Sequence, residues 1–200
     1  MSNTKSKITL IALTILIVSV PSMIACGFIP FAYRFWLFSF IAVFLVLICF
    51  TQGIGIKKLG LRFDNLRQSL IWNTIALLLV LAFIFAIFAE NIFQRQEKEF
   101  FNHFYLIYVL LIVPVQEFIF RGFVFAELDK AGIKGQAAQI IISAILFSYV
   151  HIIYRNPIFL VATFLLGIIW GITYNRHPNI IGTMASHAII GIISFYLGIV

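Results

Sequence analysis

Val113-Pro114-Val115-Gln116-Glu117-Phe118-Ile119-Phe120-Arg121-Gly122 sets one carboxylate and one guanidinium inside a long apolar run. Glu117 and Arg121 are one helical turn apart with the acid on the N-terminal side, so on a helix they share a face and pair. Such groups are costly in hydrocarbon and are kept facing a bundle interior or a water-filled cavity. The pair therefore marks a functional site or, failing that, an ion pair clamping two helices. Composition decides which solvent applies. Of the 200 residues 62% are hydrophobic and 10% charged, and the mean hydropathy is +1.08. A soluble domain would carry about a quarter charged residues. The fold class is therefore all-α, a polytopic transmembrane helical bundle.

Outward from that stretch, apolar runs long enough to cross about 30 Å of hydrocarbon recur along the chain. The fourth run begins near Phe104 and holds Pro114 three residues before Glu117. A proline there frees a carbonyl one turn earlier and opens room beside the acid. Before it lie spans at about Ile8 to Cys26, Phe35 to Thr51 and Leu70 to Ala89; after it lie spans at about Ala137 to Tyr154, Pro157 to Tyr174 and Asn179 to Val200. About seven spans result. Residues 1–103 comprise the N-terminal spans and the basic loop Gln52 to Ser69, residues 104–200 the part that carries the motif, and the two form one continuous membrane domain. Nine of the 14 basic residues fall on the side of the N-terminus, four on the other, and Arg121 lies between. That bias puts the N-terminus in the cytoplasm, and the expected location is a bacterial plasma (inner) membrane. The net charge of +7 reflects loops against anionic headgroups, and no nucleic-acid partner is expected. Cys26 and Cys49 form no disulfide framework; Cys26 after Met23-Ile24-Ala25 has, as an alternative, the look of a lipidation site.

Two histidines also lie inside apolar spans, His151 on the fifth and His187 on the seventh. Singly each reads equally well as a buried hydrogen-bonding group. One Glu, one Arg and two His on three helices of a small bundle read as one site. Phe147, four residues before His151, shares its helical face and can fix the imidazole by packing. No HExxH zinc motif is present, and Asp64 and Asp129 fall in loops, which excludes a paired-aspartate mechanism. Ser148 and Ser186 are candidate nucleophiles on paper, but Ser186 and His187 are adjacent and point to different faces. Glutamate with histidine is the best-supported constellation.

In order, the chain reads QEFIFR (116–121), FSYVH (147–151) and HAIIG (187–191). This resembles the EExxxR, FxxxH and HxxxN series of the CAAX-protease and bacteriocin-processing family (CPBP, also called Abi), over about Tyr105 to Val200. The resemblance implies an intramembrane glutamic endopeptidase. In that family the motif glutamate activates a water, a histidine assists, and the last histidine and asparagine hold the oxyanion; members are described both as metalloproteases and as metal-independent. Two positions depart from the pattern. The first glutamate is Gln116, whose amide accepts no proton at neutral pH, and the asparagine is Gly191. The resulting expectation is that Glu117, paired with Arg121, takes the proton of water. His151 then orients that water, and His187 with Gln116 stabilises the oxyanion, no cofactor being needed. A zinc ion on Glu117, His151 and His187 is the alternative, disfavoured by Arg121 beside the acid. The expected partners are the lipid bilayer and a membrane-embedded or lipid-modified peptide, cut by CAAX-type or leader-peptide processing. A bacteriocin-immunity or binding scaffold that has lost catalysis is the runner-up, and a small transporter a third class. One difficulty stands: Glu117 and His187 lie roughly 12 Å below the cytoplasmic edge, whereas His151 lies near the other end of its helix.

Overall fold

The computed structural model describes residues 3–89 and 103–198. The loop from Glu90 with Arg95 and Lys98, and the last two residues of the seventh span, lie outside the described residues. Seven helices are described: α1 (Asn3–Ala25), α2 (Arg34–Thr51), α3 (Leu66–Ala89), α4 (His103–Lys130), α5 (Gln136–Tyr149), α6 (Pro157–Arg176) and α7 (Ile180–Tyr196). Six helical segments are long and apolar enough to cross a membrane, and α7 is a shorter apolar helix of 17 residues. Together they form a helical bundle with no strand among the described residues, as the composition requires.

Short polar breaks set where the helices start. Asn156 caps α6, its side chain accepting from the Ile158 and Phe159 amides at 3.0 and 3.1 Å, with Pro157 in the first turn. Asn179 caps α7 in the same way through Ile181 and Gly182. Between α5 and α6 a 3-10 turn (Val150–Tyr154) ends at Arg155, whose φ of 52° reverses the chain. Lipid tails give helices no hydrophobic reason to associate, so close backbone packing and interhelical hydrogen bonds hold such bundles together. Gly167 of α6 is one such point: a Cβ there would come within 3.0 Å of the Ala144 Cβ on α5. Phe40, Leu47, Leu78, Phe83, Leu110 and Val161 remain exposed as lipid-facing surface.

Helix α4 is not a uniform α-helix. Two π-helical turns, Tyr108–Ile112 and Phe118–Phe123, flank the α-helical turn Val113–Glu117. Pro114 can donate no hydrogen bond and crowds the preceding turn, and the wider π turn just upstream accommodates it. The polar stretch that opens at Glu127 in the sequence does not end the helix, which continues to Lys130. Glu127 is fully buried inside α4, its Oε1 3.9 Å from the Lys130 ammonium. Asp129 ends the same helix and pairs with Lys58 at 3.1 Å. Asp64 does lie in a loop, where the hydrogen-bonding Arg62 guanidinium holds its carboxyl down at about 2. His103, at the start of α4, is exposed, consistent with a solvated residue.

Candidate active site

Helices α4, α5 and α7 bring the three motifs together around the centre of the bundle. Glu117 and Arg121 are both 0% exposed. Glu117 Oε1 lies 3.4 Å from Arg121 Nη1 and accepts a hydrogen bond from His187 Nδ1 at 2.7 Å. Arg121 Nη2 donates to the Gly167 carbonyl at 3.4 Å, and its guanidinium carbon lies 4.5 Å from the centroid of Phe147 and 5.5 Å from that of Trp170. One cation thus meets a carboxylate, a carbonyl and two ring faces in an apolar surround, the conditions under which a buried charge is tolerated.

His187, 4% exposed, stacks on Trp170 with centroids 4.3 Å apart. Trp170 is fixed in turn: its indole N–H donates to Ser186 Oγ at 3.0 Å, and Ser186 Oγ and Thr173 Oγ1 each lie 3.1 Å from the Asn73 side-chain oxygen. Asn73 Nδ2 returns to the Ser69 carbonyl at 2.9 Å. A buried amide on α3 therefore sets the ring against which the imidazole rests. The polar residue in Trp72-Asn73-Thr74 is the only sequence signal for this, and its partners lie a hundred residues away. Asn73→Leu would leave Ser186 and Thr173 only the Thr183 and Trp170 carbonyls of their own helices and remove the tie between α3, α6 and α7; the expected cost is about 1 kcal/mol, read as a lowered melting temperature in detergent. The same network disposes of Ser186 as a nucleophile, and Ser148 Oγ is spent on the Leu160 carbonyl at 2.7 Å.

An open cavity runs from the ends of helices near Arg34 and Tyr154 down to Gln116 and His187. His151, 9% exposed, lines it as well. The conflict of depths disappears because the cavity is a channel from one end of the bundle to its middle. His151 sits near that end and His187 at the floor. Phe147 does what its position predicts: its ring meets His151 at 4.9 Å and His187 at 5.5 Å, and its carbonyl lies 2.7 Å from His151 Nδ1. A carbonyl only accepts, so Nδ1 of His151 carries the proton and Nε2 keeps its lone pair. By the same logic the Glu117 carboxylate fixes the proton of His187 on Nδ1 and leaves Nε2 as its free nitrogen.

Gln116 lines the cavity, whereas Glu117 and Arg121 lie behind its wall. The side chain of Gln116 faces the space that the sequence expectation gave to the neighbouring acid. A zinc ion on Glu117, His151 and His187 does not fit this arrangement. Glu117 lies on the Nδ1 side of His187, away from the two free Nε2 atoms, and among the described residues no three His, Cys, Asp or Glu side chains are placed to hold a metal ion. Gly191, one turn beyond His187, also lines the cavity, and the Tyr108 ring and hydroxyl pack directly on it, leaving no room for a Cβ.

No curated protein and no solved structure gives a significant match to the chain. A family model does match residues 99–193, that of the type II CAAX prenyl endopeptidase Rce1-like proteins. The matched segment contains the three motifs with Trp170 and Thr173, and leaves out Asn73, Ser69 and the Arg34 end of the cavity. Over residues 99–193, just under half of its length, the chain is similar to the Rce1-like type II CAAX prenyl endopeptidases, a branch of the CPBP family.

Proposed function

We propose that the protein is an intramembrane endopeptidase that hydrolyses a peptide bond in a membrane-embedded or lipid-modified peptide, by CAAX-type or leader-peptide processing. The observation that carries the proposal is the convergence of His187, His151 and Gln116 on one aromatic cavity, with Glu117 bonded to the back of His187. His187 Nε2 takes a proton from water as the water oxygen adds to the scissile carbonyl carbon and the carbonyl π electrons move to oxygen. Glu117 holds the imidazole in the reactive tautomer and balances the imidazolium that forms, the part a buried carboxylate plays behind a catalytic histidine. Arg121 keeps Glu117 ionised and in place. His151 Nε2 accepts a hydrogen bond from the water and orients it. Collapse of the intermediate breaks the C–N bond, and the proton on His187 Nε2 passes to the leaving amine. Glu117 and Arg121 are thus positioning residues, and no cofactor enters the step.

The N-terminus is proposed to be cytoplasmic, in a bacterial plasma membrane, because the basic loop 52–65 lies at the end of the bundle where anionic lipid attracts it. The Arg34 end of the cavity then faces the opposite side. A second reading, a binding or immunity scaffold without catalysis, is favoured by one observation: among the described residues no carboxylate lines the cavity, since Gln116 stands where an acid would reach it.

Purified protein in lipid, given a library of membrane-tethered peptides and analysed by mass spectrometry, separates the two. Cleavage by wild type that a chelator leaves unchanged, and that His187→Ala and His151→Ala both lose, is the expected result. Cleavage surviving His187→Ala would sink the mechanism. Cleavage that appears only in Gln116→Glu would establish the scaffold reading.

A further inference from the structure

An addition to a carbonyl also needs a donor aimed at the oxygen that becomes negative. Besides the Gln116 amide, which also lines the cavity, the donors around it are mostly engaged. Trp170 Nε1 is spent on Ser186, Ser39 Oγ on the Phe35 carbonyl at 2.8 Å, and Thr163 Oγ1 on the Phe159 and Leu160 carbonyls at 2.9 and 3.0 Å. Tyr108 differs. It lines the cavity at 6% exposure, and among the described residues its hydroxyl makes no hydrogen bond, although a phenol in an apolar site ordinarily has a partner.

Its ring is held on three sides, by Phe104 at 6.1 Å, Phe195 at 5.1 Å and the edge of His187 at 6.2 Å. Tyr108 also opens the π-helical turn Tyr108–Ile112, a local widening of the helix that is frequent at functional sites. The hydroxyl rests on Gly191, one turn beyond His187 on the same face of α7, and a Cβ at that position would overlap both the ring and its oxygen. Gly191 is therefore what admits the hydroxyl to this place.

We propose that the Tyr108 hydroxyl donates the hydrogen bond that stabilises the oxyanion formed when water activated by His187 adds to the substrate carbonyl. The O–H bond stays intact throughout, and the contribution is a hydrogen bond that strengthens as charge develops. The inference rests on the hydrolytic reading above.

The test is Tyr108→Phe, which keeps the ring and its packing. With a peptide that wild type cleaves, kcat is expected to fall about 10²-fold while KM stays unchanged. Affinity for a peptidyl trifluoromethyl ketone, whose adduct carries an oxyanion, is expected to fall by the same factor, and affinity for the matching alcohol to hold. Tyr108→Ala with Gly191→Asn, which brings an amide donor from the other wall, is expected to regain activity lost in Tyr108→Ala alone; a purely packing role for the ring gives no such rescue. Undiminished kcat in Tyr108→Phe overturns this inference and leaves the endopeptidase standing. Absence of cleavage by folded wild type removes the endopeptidase, and the role of Tyr108 with it.

Discussion

Glu117→Gln is expected to lower kcat by about 10³–10⁴-fold, the scale seen when a carboxylate behind a catalytic histidine becomes an amide. The substitution is isosteric, so it opens no cavity. An amide can turn its NH2 toward His187 Nδ1, which forces the proton to Nε2 and removes the base from the cavity. It also carries no charge to balance an imidazolium. Arg121, fully buried, loses its counter-charge at the same time. Breaking one side of a buried pair costs about 3–5 kcal/mol. Two measurements separate these effects. Glu117→Gln/Arg121→Gln, which leaves no charge stranded, is expected to regain much of the melting temperature in detergent and none of the activity. Retention of a tenth or more of wild-type kcat in Glu117→Gln would show that Glu117 does not orient the base.

The second large effect is on folding. Arg121→Ala strands the Glu117 carboxylate with only His187 and empties the space beside Phe147 and Trp170. It also removes the donor to the Gly167 carbonyl. The expected loss is again about 3–5 kcal/mol, enough to deplete the folded protein in the membrane. Arg121→Lys keeps the charge but not the planar group that stacks on the rings, so an intermediate stability is expected. Steady-state level and thermal unfolding in detergent measure both. An unchanged melting temperature in Arg121→Ala would mean that the ion pair is replaced by water from the cavity.

Much of this architecture was legible in the residues themselves. The second span, expected from Phe35 to Thr51, is Arg34–Thr51, because an unbroken apolar run long enough for a bilayer has one stable form there. The start of α6 was legible in Asn156-Pro157, a cap followed by a first-turn proline. Glu127 was not legible: in sequence it opens a polar stretch, and only the packing of α4 buries it. The polar network from Asn73 to Trp170 was equally hidden, since each member is an unremarkable residue until α3, α6 and α7 meet.

The sequence by itself determined that the chain is a helical membrane bundle and marked Glu117, Arg121, His151 and His187 as candidates for one centre. Hydropathy and motif spacing are local properties, and they survive any arrangement of the helices. Only the tertiary structure decided that Gln116 lines the cavity and Glu117 supports His187 from behind. Adjacent residues on a helix point about 100° apart, and the rotation of a helix with apolar residues all round is not written in its own sequence. The packing of Ile119, Phe120 and Phe123 into the core and the two π turns of α4 set that rotation. With it they set which of two neighbouring side chains faces the cavity.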